Sequence, residues 1–224
     1  MTDHPSHNQA SSAFLKNFSK TLVLCSHTDD EFGCAGTVCR LVDAGVQVRY
    51  LALSKCEQSL RPDLPKDTLV HECMAATRTL GIPPENVEID SFPVRYFPKN
   101  RQDILEKLVR LNREYAPDLV LLPTSFDTHQ DHRVVYEEGF RAFKHTTLLG
   151  YELPQNLTSF NNTAFVALTP EVLRRKVDAL AEYRSQSHRD YSSADFIEGL
   201  GRVRGVQCGA TYAEAFEMIR LIVR

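Results

Sequence analysis

Two short stretches of the chain concentrate histidine and carboxylate: Ser26-His27-Thr28-Asp29-Asp30-Glu31 and Asp127-Thr128-His129-Gln130-Asp131-His132. Either one alone reads as readily as solvated polar surface, because short motifs of this kind recur by chance. Together they supply a donor set that suits a catalytic divalent metal such as zinc, which takes about three nitrogen or carboxylate ligands and keeps a position open for water. His27 and Asp30 are three residues apart, and on a tight turn entering a helix both side chains face one point. His132, at the start of a later helix, completes the set. Such a metal lowers the pKa of its water to roughly 7. Asp29, beside the ligands, is then left to act as general base. His129 is left to polarise a carbonyl or meet the developing oxyanion, with Asp131 expected to hold His129 by a hydrogen bond. Glu31 is expected to cap the following helix or meet its dipole.

The surrounding pattern must bring the two stretches together. Thr21-Leu-Val-Leu-Cys-Ser26 reads as a buried strand, residues 32–44 as a helix stopped by Gly45, and Val46 to Leu53 as a second strand. Strand, helix and strand in about thirty residues make a βαβ unit. The alternation continues with a helix over 67–80, a short strand at 87–89, an amphipathic helix over 101–115, a buried strand at 119–122 and a helix over 132–143. Helices are expected over 170–183 and 194–204, and residues 212–223 fit strand or helix. This predicts a Rossmann-like α/β fold, a mostly parallel sheet with helices on both faces. Each polar cluster follows a strand, so both belong at the carboxyl edge of the sheet, where open α/β folds bind ligands.

Composition narrows the possibilities. The 224 residues suit one domain, expected over 21–224 behind a flexible leader at 1–20. Hydrophobic residues make up 42% and charged residues 25%, as in ordinary globular proteins. A net charge of −3 leaves no basic footprint for nucleic acid. No apolar run is long enough to span a bilayer and no secretory signal is visible, so a cytoplasmic protein is expected, with a homo-oligomer allowed. Cys25, Cys34, Cys39, Cys56, Cys73 and Cys208 form no C-x-x-C pair, and the first three sit among apolar residues as small buried hydrophobes do.

The motif His27-Thr28-Asp29-Asp30-Glu31 with Gly33-Cys-Ala-Gly36, followed by His129-Gln-Asp131-His132, resembles the LmbE/PIG-L family of zinc-dependent N-acetylglucosaminyl deacetylases. That family opens with His-Pro-Asp-Asp-Glu and carries a later His-x-Asp-His. Weaker agreements lie at Glu72, at Leu80-Gly81, at Tyr151-Glu152, at Tyr183-Arg-Ser185-Gln186 and at Ala213-Glu-Ala-Phe216. The resemblance implies a Rossmann-like fold, zinc held by His27, Asp30 and His132, Asp29 as base and His129 facing the oxyanion. Tyr151-Glu152, before Leu153-Pro154, is a candidate to line the pocket or simply a strand end, and Ser185-Gln186 is a second candidate or simply a helix cap. Thr28 stands where the family has proline, residues 53–58 lack its glycine-rich form, and Leu69 stands where relatives carry a substrate-binding arginine. Arg95 or Arg101 is the candidate to replace that arginine.

The function expected is metal-dependent removal of an N-acetyl group from an amino sugar or glycoconjugate. One alternative is an amidase of a larger sugar-amide or thiol-cofactor conjugate. The other is a non-catalytic nucleotide-binding module built on the Gly33–Gly36 helix start, although Gly33-Cys-Ala-Gly36 is not the G-x-G-x-x-G pattern.

Overall fold

The computed structural model describes residues 14–223. Seven strands form one sheet in the order β3-β2-β1-β4-β5-β7-β6. In chain order they are β1 (Lys20–Cys25), β2 (Gln47–Ala52), β3 (Val87–Ile89), β4 (Leu119–Pro123), β5 (Thr147–Tyr151), β6 (Ala164–Leu168) and β7 (Tyr212–Arg220). The run β3-β2-β1-β4-β5 is parallel. β7 enters antiparallel between β5 and β6. The helices are α1 (Ala35–Asp43), α2 (Thr68–Thr79), α3 (Arg101–Tyr115), α4 (Gln130–Ala142), α5 (Pro170–Leu180) and α6 (Ala194–Cys208).

The apolar runs of β1 and β4 are what a strand buried on both faces requires. Val23 and Cys25, with Leu119 and Leu121, join a core that includes residues of α1, α2 and α5. Leu22 and Leu24, with Val120 and Leu122, join the opposite core, built with α3 and α4. Period-two alternation thus divides each strand between two helical layers. The expected α/β class and mostly parallel sheet hold. The expected leader at 1–20 is corrected in its last part: Leu15 and Phe18 are buried in the first core, and β1 begins at Lys20. Residues 1–13 lie outside the described residues. Among those described, no helix is long and apolar enough to cross a membrane.

β1 and β4 are neighbours, and the chain leaves them toward opposite helical layers, to α1 and to α4. That is the topological switch point, where a crevice opens beyond the strand ends. The first cluster leaves β1 through a tight turn at Asp30–Gly33. A Cβ on Gly33 would lie 2.6 Å from the Glu152 carbonyl oxygen and 2.8 Å from Tyr151 Cδ2. Only glycine lets this turn lie so close to the end of β5. Gly33→Ala is therefore expected to cost about 1–3 kcal/mol, as overpacking against backbone does; a denaturant midpoint unchanged from wild type would show that the turn has room to shift.

Candidate metal centre and active site

The turn after β1 is organised by Asp30. Its Oδ2 accepts the backbone N–H groups of Ser26 and His27, each at 2.9 Å. Its Oδ1 is thereby aimed away from the backbone, 3.6 Å from His27 Nδ1 and 3.4 Å from His132 Nε2. Those two ring nitrogens are 3.0 Å apart. Three donors separated by 3.0–3.6 Å surround one point. Ligands at about 2.0–2.1 Å from a tetrahedral ion stand roughly 3.3 Å from one another, so the donor set fits a small divalent metal.

Tautomers decide which nitrogens are ligands. His132 Nδ1 lies 2.7 Å from Asp127 Oδ2, and His27 Nε2 lies 3.1 Å from Asp131 Oδ2. A carboxylate only accepts, so each of those nitrogens carries the hydrogen. The inner nitrogens, His132 Nε2 and His27 Nδ1, are then bare lone pairs facing each other. A proton on His132 bridges the pair as an N–H···N hydrogen bond, and a metal ion would take that proton's place; carboxylate–imidazole pairs of this kind support metal-binding histidines. His129 is different. Ring nitrogens of His27, His129 and His132 lie within 4.8 Å of one another, so proximity alone makes a three-histidine set. His129 Nδ1, however, accepts the Asp131 backbone N–H at 3.2 Å as the cap of α4. Its Nε2 must carry the hydrogen in the neutral ring, which makes it a donor. The chemistry favours His27, Asp30 and His132 as the metal-holding set.

Electrostatics follow this division. Burial works against ionised His132, but Asp30 and Asp127 outweigh it and hold the ring cationic up to about 10. Burial likewise opposes ionised Asp30, and His132 and His27 overcome it, keeping Asp30 well below the usual carboxylate range. The same attraction for positive charge serves a metal ion. His129 is pushed down to about 4 by burial and by His132 and His27, so it stays neutral at physiological pH. Asp29 is raised by burial and by Asp30, as suits a base. Its carboxylate is 23% exposed, faces the cavity and meets Arg189 only at 3.9 Å.

Two expectations about carboxylates are corrected. Asp131 does not hold His129 by its carboxylate. The start of α4 turns that carboxylate toward His27, while its oxygens also accept the backbone N–H groups of Arg95 and Phe97. Nor does Glu31 cap a helix. It is fully buried, and its two oxygens meet the hydroxyls of Tyr183 and Tyr50, which also contact the Thr28 carbonyl. Burial pushes the Glu31 carboxyl up to about 8. A folded value above the ordinary 4.5 means that the fold prefers the proton. Its contribution is complete below about 4.5 and is lost as pH rises through about 8. In chelated protein, Glu31→Gln is expected to flatten the fall in stability between those limits; an unchanged pH slope of the denaturant midpoint would refute this.

A cavity of about 270 Å³ opens over these groups. Arg95 and Gln186, both candidates from the sequence, lie on its wall, as do Asn156, Arg189 and Tyr191, which the sequence did not single out as substrate contacts. Ser185 instead ties its loop to α2 through Glu72. Arg101 is not on the wall; it pairs with Glu137 and Glu138. Tyr151 and Glu152 are also absent from it. The Tyr151 hydroxyl donates to the Leu24 carbonyl and Glu152 pairs with Arg204, so both side chains are engaged within the fold. Asp127, left without a role in the sequence, is the partner of His132.

The fold is similar to solved structures over nearly the whole chain. A conserved protein from Thermus thermophilus superposes with a TM-score of 0.74 at 22% identity, covering 91% of this chain and 96% of the other. N,N'-diacetylchitobiose deacetylase from Pyrococcus horikoshii gives 0.72 at 19%, covering 97% and 94%. A 4-carboxy-2-hydroxymuconate hydratase from Pseudomonas putida gives 0.73 at 18%, covering 92% and 98%. One architecture therefore carries different reactions, and likeness at this level concerns the fold. The sequence itself goes further: the model of the GlcNAc-PI de-N-acetylase (PIG-L) family matches residues 22–143, more than half of the chain and both His/Asp clusters, and the protein belongs to that family.

Proposed function

We propose that this protein is a zinc-dependent N-deacetylase that hydrolyses the acetamido group of an amino sugar or glycoconjugate. The observation that carries the reading is the division of labour among three histidines around one cavity. His27 and His132 turn lone pairs inward beside Asp30, whereas His129 presents an N–H. The family and the deacetylase among the structural relatives agree with it.

His27, Asp30 and His132 would hold the ion. Zinc in such a site supplies Lewis acidity, polarising an amide carbonyl and acidifying water. Asp29 takes the proton from the water as its oxygen attacks the carbonyl carbon. The carbonyl oxygen gains negative charge, and the His129 Nε2–H donates to it. Asp29 then passes the proton to the amine nitrogen as the C–N bond breaks, leaving acetate and the free amino group. Asp127 and Asp131 keep the two ligand rings in the required tautomers throughout.

The test is acetate release from N-acetylglucosamine derivatives by zinc-loaded and chelated protein. Release that requires the metal supports the proposal. Zinc binding with release of a larger acid, and none of acetate, would replace it with an amidase of bigger conjugates. Absence of stoichiometric zinc would end it.

A further inference from the structure

We infer that the substrate carries an acidic group, a phosphate or carboxylate, which Arg95 and Arg189 hold at the mouth of the cavity. The inference rests on the deacetylase reading for the reaction, but not for the recognition itself. The two arginines come from distant parts of the chain, the segment before α3 and the loop between α5 and α6, and line the same cavity.

Arg95 is built into place at a cost. Its φ of +71° lies in the left-handed region that a long side chain rarely adopts. Such strain persists where surrounding contacts fix it, and it gathers at ligand clamps. Here the fixing contact is the Arg95 backbone N–H, which donates to Asp131 Oδ2, the same oxygen that orients His27. The guanidinium donates once, to the Gln58 carbonyl at 3.1 Å. Among the described residues no carboxylate pairs with it, so its remaining N–H groups are available to a ligand.

Arg189 is also preorganised. Its Nη1 donates to the Tyr191 hydroxyl, its guanidinium lies 5.7 Å from the centre of that ring, and its side chain is 34% exposed. Its nearest carboxylate is the Asp29 base, at the limit of ion-pair distance, 3.9 Å. An arginine serving only to balance Asp29 would close on it, as Arg175 Nη1 does on both oxygens of Asp43 at 2.8 Å. Arg189 instead stands back beside the base, on the cavity wall. Planar guanidinium groups suit the oxygens of phosphate and carboxylate. Apart from the histidines, Arg95 and Arg189 are the basic side chains among the residues lining the cavity; Leu69 beside them supplies no charge. The cationic task falls to Arg95 and Arg189.

The experiment compares three probes: methyl N-acetyl-β-glucosaminide, its carboxymethyl counterpart, and N-acetylglucosamine 1-phosphate. Dissociation constants are measured by calorimetry on zinc-loaded Asp29→Asn protein, and kcat/KM on the wild type. The expected result is at least about tenfold tighter binding of one or both anionic probes than of the neutral one, as charge-assisted hydrogen bonds give. Preference for the phosphate or for the carboxylate names the acid. Arg95→Gln and Arg189→Gln are each expected to reduce that ratio about tenfold, and Arg95→Lys to restore part of it. Equal binding of all three probes, or losses equal on neutral and anionic probes, would overturn the inference. Charge-selective binding without acetate release would sink the proposed reaction and leave this recognition standing.

Discussion

Asp29→Asn is expected to lower kcat about a thousandfold while leaving the metal content unchanged, within the range that general acid–base catalysis contributes. Asparagine keeps the shape of the side chain but cannot take a proton from water. The ligands do not depend on it: Asp30 is fixed by the backbone N–H groups of Ser26 and His27, and the two rings by Asp127 and Asp131. The sign of the pH effect also follows. A base works only when deprotonated, and burial together with Asp30 raises Asp29 above the ordinary aspartate range. Wild-type kcat/KM should therefore fall as pH drops through the range in which Asp29 takes up its proton, and the residual rate of the variant should lack this limb. Metal analysis beside the kinetics separates a lost base from a lost ion. Full activity in the variant would refute the assignment of the base.

The centre of the sheet was legible because β1 and β4 are buried on both faces and read as continuous apolar runs. β1 and β4 announced themselves, and with them the edge where the two clusters meet. The antiparallel end was not. β5 (Thr147–Tyr151) is short and contains a glycine, and β6 (Ala164–Leu168) is only partly buried. The segment that became β7 fits two periodicities, and its pairing between β5 and β6 decided the matter from outside, as tertiary context often does for strands. At the site, residue type and spacing were enough to nominate His27, Asp30 and His132. They could not reveal which carboxylate serves which ring. Asp131 is close to His129 in sequence, yet the first turn of α4 carries it to His27, 104 positions away. Glu31 misled for a related reason: beside a helix start it looks like a cap, and only the fold brings Tyr50 and Tyr183 to its oxygens. Arg189 and Tyr191 lie at a short 3-10 turn in the connection between α5 and α6, where no periodicity marks which side chains return over the crevice.

His132→Ala is expected to abolish the stabilisation that metal binding gives the fold. An ion that binds only the native state adds about 4 kcal/mol when present at a thousand times its dissociation constant. For a domain of this size each kcal/mol moves Tm by roughly 2–4 °C. The wild type should thus melt about 8–16 °C higher when saturated than when chelated. The alanine variant should show almost none of that gain, because it lacks one inward lone pair and leaves Asp127 without the ring it holds. Asp127→Asn should fall between them. It keeps all three ligands and loses only the carboxylate that fixes the His132 tautomer, a change that typically costs 10–100-fold in affinity. Its gain should therefore return at higher metal concentration, whereas that of His132→Ala should not. The same measurement decides between the two candidate sets. If Asp30 is the third ligand and His129 the hydrogen-bond donor, His129→Ala keeps nearly the whole metal-induced shift and loses turnover. If His129→Ala loses the shift as His132→Ala does, the three-histidine set is the correct one, and the oxyanion must be met by another group on the cavity wall.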